Sequence, residues 1–302
     1  MSAKQTMPPD VICIGSVLWD VIGRSATSMR LGSDVPGRIT RLPGGVALNI
    51  AMTLARFGLR PALMSCVGRD VEGNDLVAAC GHLGLDTGLL YRSDDLPTDV
   101  YMAIEGAGGL VAAIADAHSL EAAGPKILAP MGDGRVGSVN APYAGLVALD
   151  GNLTTALLAD IAASPLFAAA DLRVAPASPG KAERLIPLLS HPGATLYVNL
   201  EEAGLLCQTR FPEAASAAQA LLDRGAARVL VTDGGHTCAD GRADSGLVLD
   251  SPPPVLVTRV TGAGDTFMAA HMVAELRGMS RAQALSQALR AAADYVSGDI
   301  GT

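Results

Sequence analysis

The sequence has 302 residues, a hydrophobic content of 49% and a formal net charge of −8. This length and composition suffice for a sizeable core, so we expect a folded protein of enzyme size. Acidic residues outnumber basic ones by 30 to 22, and only 3% of the residues are aromatic. A nucleic-acid binder needs a basic face and aromatic stacking surfaces, so we expect no nucleic-acid partner.

The sequence contains no membrane or export signal that we recognise. No apolar run approaches the ~20 residues that cross a bilayer, and Met1 to Asp10 lacks the charged start and apolar middle of a secretory signal. We therefore expect a cytoplasmic protein without a membrane partner. The five cysteines are scattered, so we interpret them as reduced packing residues. They are Cys13, Cys66, Cys80, Cys207 and Cys238.

The first part of the chain alternates predicted strands with predicted helices. Val11 to Val17 is a continuous apolar run typical of a buried strand in a parallel sheet. From Gly45 the apolar residues follow helical spacing until Gly58. Ala62 to Val67 then predicts a second strand, and Leu76 to Leu83 a second helix.

A small separate sheet is predicted next. Val100 to Ile104 and Leu110 to Ile114 are β-prone stretches on either side of a glycine cluster, which is typical of a hairpin. Arg38 to Leu42 can pair with this hairpin. We expect these strands, drawn from about residues 16–42 and 98–116, to form a lid over the rest of the protein.

The remainder of the chain repeats the strand–helix pattern of βαβ units, which predicts a mostly parallel sheet with helices on both faces. Strands are predicted at Leu146 to Leu149, Leu172 to Ala175, Thr195 to Val198 and Arg228 to Val231. Two late strands, Gly246 to Leu249 and Val255 to Val260, are expected to be antiparallel. Helices are predicted from about Gly264 to Arg277 and from Arg281 to Val296. We expect one α/β domain over residues 1–302.

The segment Thr261-Gly262-Ala263-Gly264-Asp265 stands between a predicted strand and a predicted helix. Small residues let the backbone approach a ligand, and amides at a helix start carry partial positive charge, which suits developing charge in phosphoryl transfer. Phosphates repel a carboxylate, so Asp265 fits better as a general base for an attacking hydroxyl. Alternatively, Asp265 only caps the helix and the glycines only form a tight turn.

Motifs for other chemistries are missing or stand in the wrong context. Gly132 to Gly137 matches the dinucleotide pattern G-x-G-x-x-G, but it runs towards Pro142 and a strand instead of opening a helix. Gly180-Lys181 is followed by Ala182, which excludes a Walker A loop. The sequence has neither H-E-x-x-H nor G-x-S-x-G, so metalloprotease and serine-hydrolase functions lose their usual support.

Over nearly its whole length the chain resembles the PfkB, or ribokinase-like, carbohydrate kinases. Gly44 to Ala51, followed by Leu54 to Gly58, is similar to the family's N-terminal motif, and Val260 to Phe267 matches its C-terminal motif. The two motifs stand in the right order and far apart, which argues against coincidence. The resemblance implies a ribokinase-like three-layer fold, ATP and Mg²⁺ as cofactors, and a sugar or nucleoside as the phosphate acceptor.

The resemblance also implies roles for individual residues. Asp265 is expected to be the base, beside the amides of Gly262, Ala263 and Gly264. Sugar hydroxyls are expected to contact Asp20, Gly44, Gly45 and Asn49. The nucleotide is expected to contact Asn199, Thr232, Gly234, Gly235 and Thr261. Glu202, in the N-x-x-E motif that starts at Asn199, is expected to organise Mg²⁺ through water. Gly68, Asp70 and Gly73 match a turn that we interpret as structural.

Some of these residues have simpler interpretations. Asp20 can cap a turn, Asn49 can be an ordinary polar residue of a helix, and Glu202 can lie on a solvated first turn. Asp233 is an unusual choice beside phosphates. The resemblance alone leaves these alternatives open.

Three further stretches look most like pseudouridine kinases, which phosphorylate the ribose 5′-hydroxyl of a C-linked nucleoside. They are Ala115 to Ala117, Leu149 to Leu153 and Pro176 to Ala182. On this basis Asp116 and Lys181, with Thr98 from the lid, are expected near the substrate. The alternatives are another PfkB kinase acting on ribose, fructose or 2-keto-3-deoxygluconate, or a ligand-binding relative without catalysis.

Two expectations concern potassium and assembly. Related kinases often bind potassium with an acidic residue two positions before the threonine of the T-G-A-G-D turn, where this chain has Arg259. A guanidinium cannot ligate a cation, so we predict weak or no potassium activation. An exposed apolar face of the small sheet would seek a partner, so we expect a homodimer formed through the lid.

Overall fold

The computed structural model describes residues 8–30 and 32–298, in which strands and helices are numbered along the chain. The strands are β1 (Val11–Ile14), β2 (Leu18–Arg24), β3 (Arg38–Gly44), β4 (Pro61–Met64), β5 (Cys66–Gly68), β6 (Tyr91–Ser93), β7 (Val100–Gly106), β8 (Gly109–Asp116), β9 (Leu146–Asp150), β10 (Asp171–Ala175), β11 (Ala194–Asn199), β12 (Arg228–Thr232), β13 (Cys238–Arg242) and β14 (Gly246–Asp250). The α-helices are α1 (Val46–Arg56), α2 (Val71–His82), α3 (His118–Ala123), α4 (Thr155–Ala163), α5 (Leu200–Cys207), α6 (Ala214–Asp223), α7 (Ala263–Leu276) and α8 (Arg281–Ser297). The 3₁₀ helices are Gly124–Met131, Pro165–Phe167 and Pro179–Leu188.

A central sheet of eight strands has the order β14-β13-β12-β11-β10-β9-β1-β4. The six strands from β12 to β4 are parallel, and β13 and β14 are antiparallel. Within this sheet, the next strand along the chain after β1 is β4, which lies on one side of β1. The strand that follows β4 is β9, which lies on the other side of β1. The strand order therefore reverses between β1 and β9, and in open α/β sheets ligands bind at such a switch point.

Helices cover both faces of this sheet because its inner strands are apolar on both sides. Ile12 and Ile14 of β1 pack into a core with α4, α5 and α6. Val11 and Cys13, which point the other way, pack into a second core with α1, α2, α7 and α8. The predicted three-layer α/β class is therefore confirmed.

A second sheet of four strands has the order β3-β2-β7-β8 and stands apart from the central one. β2 and β3 pair antiparallel, β2 pairs parallel with β7, and β7 and β8 form the predicted hairpin. Every residue of β8 is exposed. The predicted small separate sheet is confirmed, and its action as a lid stays a prediction.

A buried cluster of ion pairs holds α7 against the sheet. Arg228 donates to Asp240 at 2.8 Å and to Glu275 of α7 at 2.6 Å. Arg173 also donates to Glu275. Because each charge in this cluster has an opposite partner, the cost of burying it is offset.

Three details of the predicted elements are wrong. Val255 to Val260 is not a strand: the strand that pairs with β14 is β13, which the sequence analysis missed. The three consecutive prolines at 252–254 lack the N–H groups that a sheet requires, so the chain leaves the sheet there. The strand predicted from Val11 ends at Ile14, before the turn at Gly15. The segment after β10 is a 3₁₀ helix with prolines at 179 and 187 instead of an α-helix.

No helix among the described residues combines the length and the apolar character needed to cross a membrane.

Candidate active site

A cavity of about 630 Å³, which we call the main cavity, opens at the carboxyl ends of the parallel strands. Residues after β10, β11 and β12 line it together with the start of α7. The lining includes Asn49, Asn199, Glu202 and Asp265. Chain segments that lie far apart in the sequence meet here because parallel strands place their carboxyl ends along one edge of the sheet.

The T-G-A-G-D turn forms the start of α7. Gly262 is the N-cap residue with φ 88°, and a side chain there would lie 2.6 Å from the hydroxyl oxygen of Tyr295. That hydroxyl donates to the carbonyl oxygen of Thr261 at 3.0 Å. Glycine at 262 is therefore required both by backbone conformation and by space.

The amides of this turn are not all free. The Ala263 amide donates to the carbonyl oxygen of Val260 at 3.1 Å. The amides of Gly264 and Asp265 have no acceptor within residues 8–30 and 32–298. Because the first amides of a helix have no partner inside it and carry partial positive charge, these two suit a negatively charged oxygen.

Asp265 lies half-buried in the cavity, and one of its carboxylate oxygens accepts a hydrogen bond from the Asn49 amide nitrogen at 3.1 Å. Burial raises the pKa of Asp265 to about 7. The Asn49 hydrogen bond opposes this rise, and the nearby carboxylates of Asp150, Asp20 and Glu202 add to it. A carboxylate with a pKa near neutrality is suited to accept a proton from a hydroxyl.

Asp20, Gly44 and Gly45 lie beside the N-terminus of α1. Asp20 on β2 stands opposite Leu42, and a side chain at Gly44 would overlap the Asp20 carboxylate. Burial raises the pKa of Asp20 to about 6. These three residues do not line the main cavity, whereas Asn49, one turn into α1, does.

Asn199 and Glu202 form a capping box at the start of α5. The Asn199 side chain accepts from the Glu202 amide at 2.9 Å, and the Glu202 carboxylate accepts from the Asn199 amide at 2.8 Å. Burial raises the pKa of Glu202 to about 7. Glu202 lies inside the cavity lining, so its position differs from the solvated first turn that was the alternative interpretation.

A second cavity of about 440 Å³ adjoins the first. The residues that line both are Thr232, Gly234, Val260, Ala263, Gly264 and Phe267. Gly235 lines only the second cavity. The rest of its lining is mostly apolar, from Cys238, Pro252, Pro253, Pro254, Val255, Val257, Leu289, Ala292, Ala293 and Val296. Its mostly apolar lining suits an apolar group.

Three more predicted substrate contacts lie outside both cavities, as Asp20, Gly44 and Gly45 do. The Thr98 hydroxyl donates to Asp70 at 2.5 Å, in the turn that we interpret as structural. Asp116 is exposed and pairs with His118 at 2.8 Å. The Lys181 amine donates to the Asn152 side chain at 2.6 Å.

Arg259 lies against the C-terminal end of α8. Its Nε atom donates to the carbonyl oxygen of Tyr295 at 2.7 Å, and its guanidinium stacks on the Tyr295 ring at 3.9 Å. The buried Nη2 atom has no hydrogen-bond partner among the described residues. A permanent cation thus stands two residues before the turn.

Asp150, which ends β9 and is fully buried, was not among the predicted site residues. Tyr197, which lines the main cavity and whose hydroxyl pairs with His271 at 2.9 Å, was not among them either. A polar residue at the carboxyl end of a parallel strand beside a switch point is the signal that identifies Asp150. Tyr197 lies within an apolar strand and gave no comparable signal.

Comparison with known proteins identifies the family of this chain. The family model "pfkB family carbohydrate kinase" matches residues 8–298. A pseudouridine kinase of Escherichia coli (strain K12) is 30% identical over 91% of this chain and 86% of its own length. The chain therefore belongs to the PfkB family of carbohydrate kinases, and it is a phosphotransferase that acts on a hydroxyl of a sugar or nucleoside.

Solved structures show the same fold. A carbohydrate kinase from Agrobacterium tumefaciens has a TM-score of 0.80 and 26% identity, covering 97% of this chain and 92% of its own. A ribokinase from Arabidopsis thaliana, complexed with ribose and ATP, has a TM-score of 0.79 and 22% identity, covering 98% and 94% of the two chains. The latter, at this identity, supports the fold alone.

Proposed function

We propose that this protein is an ATP-dependent pseudouridine kinase that transfers the γ-phosphate to the ribose 5′-hydroxyl. The observation that carries the kinase chemistry is the placement of Asp265 beside the Gly264 amide inside the main cavity. The similarity to the Escherichia coli pseudouridine kinase over 91% of the chain supports the choice of substrate.

In the proposed mechanism Asp265 accepts the proton of the attacking hydroxyl. The side-chain amide of Asn49 donates to this carboxylate and so helps to fix its orientation. The Gly264 and Asp265 amides donate to the oxygens of the transferring phosphoryl group, where negative charge develops. Phosphoryl transfer needs little covalent help from a protein, so positioning and electrostatics supply most of the catalysis.

The residues present fit a magnesium–nucleotide. Glu201, Glu202, Asp233 and Asp265 place carboxylates in the lining of the main cavity, and the second cavity offers an apolar site for a base. Mg²⁺ keeps several waters, so few protein ligands suffice, and we propose that Glu202 holds it through water. When bound, the ion neutralises the charge of the phosphates.

The first test is a measurement of ATP consumption with pseudouridine, uridine, ribose, fructose and 2-keto-3-deoxygluconate. We expect the highest kcat/KM with pseudouridine. A clear preference for another acceptor would retain the kinase function and overturn the proposed substrate. No consumption with any acceptor would favour a ligand-binding relative without catalysis.

The second test replaces the proposed base. In Asp265→Asn we expect kcat to fall by roughly 10²–10⁴-fold, the range attributed to a general base, with little change in the Kd of ATP. The exposed Asp223→Asn on α6 is the control and is expected to keep the wild-type kcat. An unchanged kcat in Asp265→Asn would contradict the assignment.

A further inference from the structure

Asp150 is a fully buried carboxylate at the end of β9, and neither the proton transfer nor the nucleotide uses it. It accepts hydrogen bonds from the Ser16 amide at 2.8 Å, the Ser16 hydroxyl at 3.0 Å, the Ala47 amide at 2.9 Å and the Asn152 amide at 2.7 Å. Every one of these groups donates. Burial raises the pKa of Asp150, and these hydrogen bonds oppose that rise because each of them is donated to the carboxylate and favours its ionised form.

The start of α1 explains what this carboxylate does. Gly45 is the N-cap residue and has no side chain that can accept from the first turn. Ser16 and Asp150 accept instead: the Val46 amide donates to the Ser16 hydroxyl at 2.9 Å, and the Ala47 amide to Asp150. The Leu48 amide donates to the Ser16 carbonyl oxygen at 3.3 Å. Ser16, which follows β1, and Asp150, which ends β9, therefore cap α1.

This cap fixes the helix that carries Asn49. The backbone amide of Asn49 is the first to donate within α1, to the Gly45 carbonyl oxygen at 2.8 Å. The side-chain amide of Asn49 donates to Asp265. The orientation of Asn49 towards Asp265 therefore depends on where the first turn of α1 begins. A shift of that turn would move the side-chain amide of Asn49 away from the Asp265 carboxylate.

Asp150 has no oxygen free for a ligand. It is fully buried, and a side chain at Gly15 would overlap its carboxylate, so the chain packs directly against it. The α1 amides that could otherwise hold an anion are likewise occupied. We propose that Asp150, with Ser16, is a positioning residue that fixes the first turn of α1 and thereby orients Asn49 against Asp265.

The inference rests on the proposed function and is tested by a double-mutant cycle with Asn49. In Asp150→Asn we expect kcat to fall roughly ten- to a hundredfold, the loss that a small misplacement near the reaction causes, while KM for ATP changes little. In the Asn49→Ala background the same substitution is expected to change kcat by less than about threefold, because the interaction that it supports is already gone. Multiplicative effects in the two backgrounds would overturn the inference.

Two further variants keep the test decisive. Ser16→Ala removes the acceptor of the Val46 amide without changing any charge, and it is expected to give a smaller kcat loss with the same dependence on Asn49. If Asp150→Asn does not fold, the cycle with Ser16→Ala decides. Asp240→Asn is the control for a buried carboxylate in the ion-pair cluster: it is expected to lower Tm and keep kcat within about twofold.

The outcomes separate the two proposals. A wild-type protein that transfers no phosphate from ATP to any acceptor would overturn the proposed function. An active wild-type enzyme in which Asp150→Asn lowers Tm as Asp240→Asn does, and leaves kcat unchanged, would overturn the positioning role alone.

Discussion

The surroundings of Asp265 affect its pKa in opposite directions. Its burial and three neighbouring carboxylates favour the protonated form, and the Asn49 amide favours the ionised form. The balance leaves its pKa at about 7, so small changes around it alter the fraction that can accept a proton.

The pH dependence of the rate follows from this balance. The base acts only when ionised, so we expect kcat/KM to fall as the pH drops through about 7. Asn49→Ala removes the hydrogen bond that lowers the pKa, and it should shift the acidic limb to higher pH. A pH–rate profile of both proteins checks this. An acidic limb that stays in place, or moves to lower pH, would contradict the role of Asn49.

Arg259 leads to a prediction about potassium. Its guanidinium packs on Tyr295 near the end of α8 and places a positive charge two residues before Thr261. Replacing sodium by potassium at constant ionic strength is therefore expected to change kcat by less than about twofold. A steep rise in the rate with potassium would show that a cation site remains.

At the scale of elements, the two glycines of the turn before α7 differ in backbone conformation and in the space around them. Gly262 has a positive φ and faces the Tyr295 hydroxyl, whereas no heavy atom lies within 4 Å of a side chain placed at Gly264. The first glycine is required by the fold. The second keeps the cavity open.

Alanine substitutions separate these roles. Gly262→Ala is expected to destabilise the protein by about 1–3 kcal/mol, the usual cost of a strained conformation, and to lower Tm. Gly264→Ala is expected to keep the wild-type Tm and to lower kcat, because its methyl group enters the cavity. Thermal unfolding and initial rates measure both effects. Equal Tm values for the two variants would refute the steric argument.

The elements that the sequence predicted best are those with one strong pattern. β9, β10, β11 and β12 are apolar runs, and they are found where they were predicted, whereas β1 starts as predicted but ends earlier. β13 was missed because its sequence, Cys-Ala-Asp-Gly-Arg, carries no apolar pattern and Asp240 is buried by its arginine partners. Val255 to Val260 has the apolar pattern of a strand but follows three prolines and finds no strand to pair with.

At the scale of the whole molecule, the second sheet presents a large apolar surface. Its exposed side chains include Ile39, Leu42, Met102, Ile104, Leu110, Val111 and Ile114. Exposed apolar patches of this kind mark interaction sites, and β3 and β8 are both edge strands. We propose that a second copy of the chain covers this surface.

Sedimentation tests the proposed dimer. The wild-type protein is expected to sediment as a dimer, and Ile114→Lys as a monomer, because burying an unpaired charge in the interface is costly. Leu256→Lys changes a side chain that is 83% exposed and lies outside this sheet, so it should leave the mass unchanged. A monomeric wild-type protein at working concentration would refute the proposal.

The sequence by itself determined the layered α/β fold and the turn before α7. Apolar runs, helical spacing and a glycine-rich turn are local patterns, so they can be identified without knowing which segments meet. The prediction that Asp265 is the base also came from such a local pattern, its place at the end of the T-G-A-G-D turn.

Only the tertiary structure decided how distant segments cooperate around that residue. The contact between Asn49 and Asp265, and the capping of α1 by Ser16 and Asp150, join segments that lie far apart along the chain. No local pattern encodes such contacts, because they depend on β1 and β9 being neighbours in the sheet. The same packing gave Gly262 and Gly264 different roles, and it left Thr98, Asp116 and Lys181 outside the two cavities.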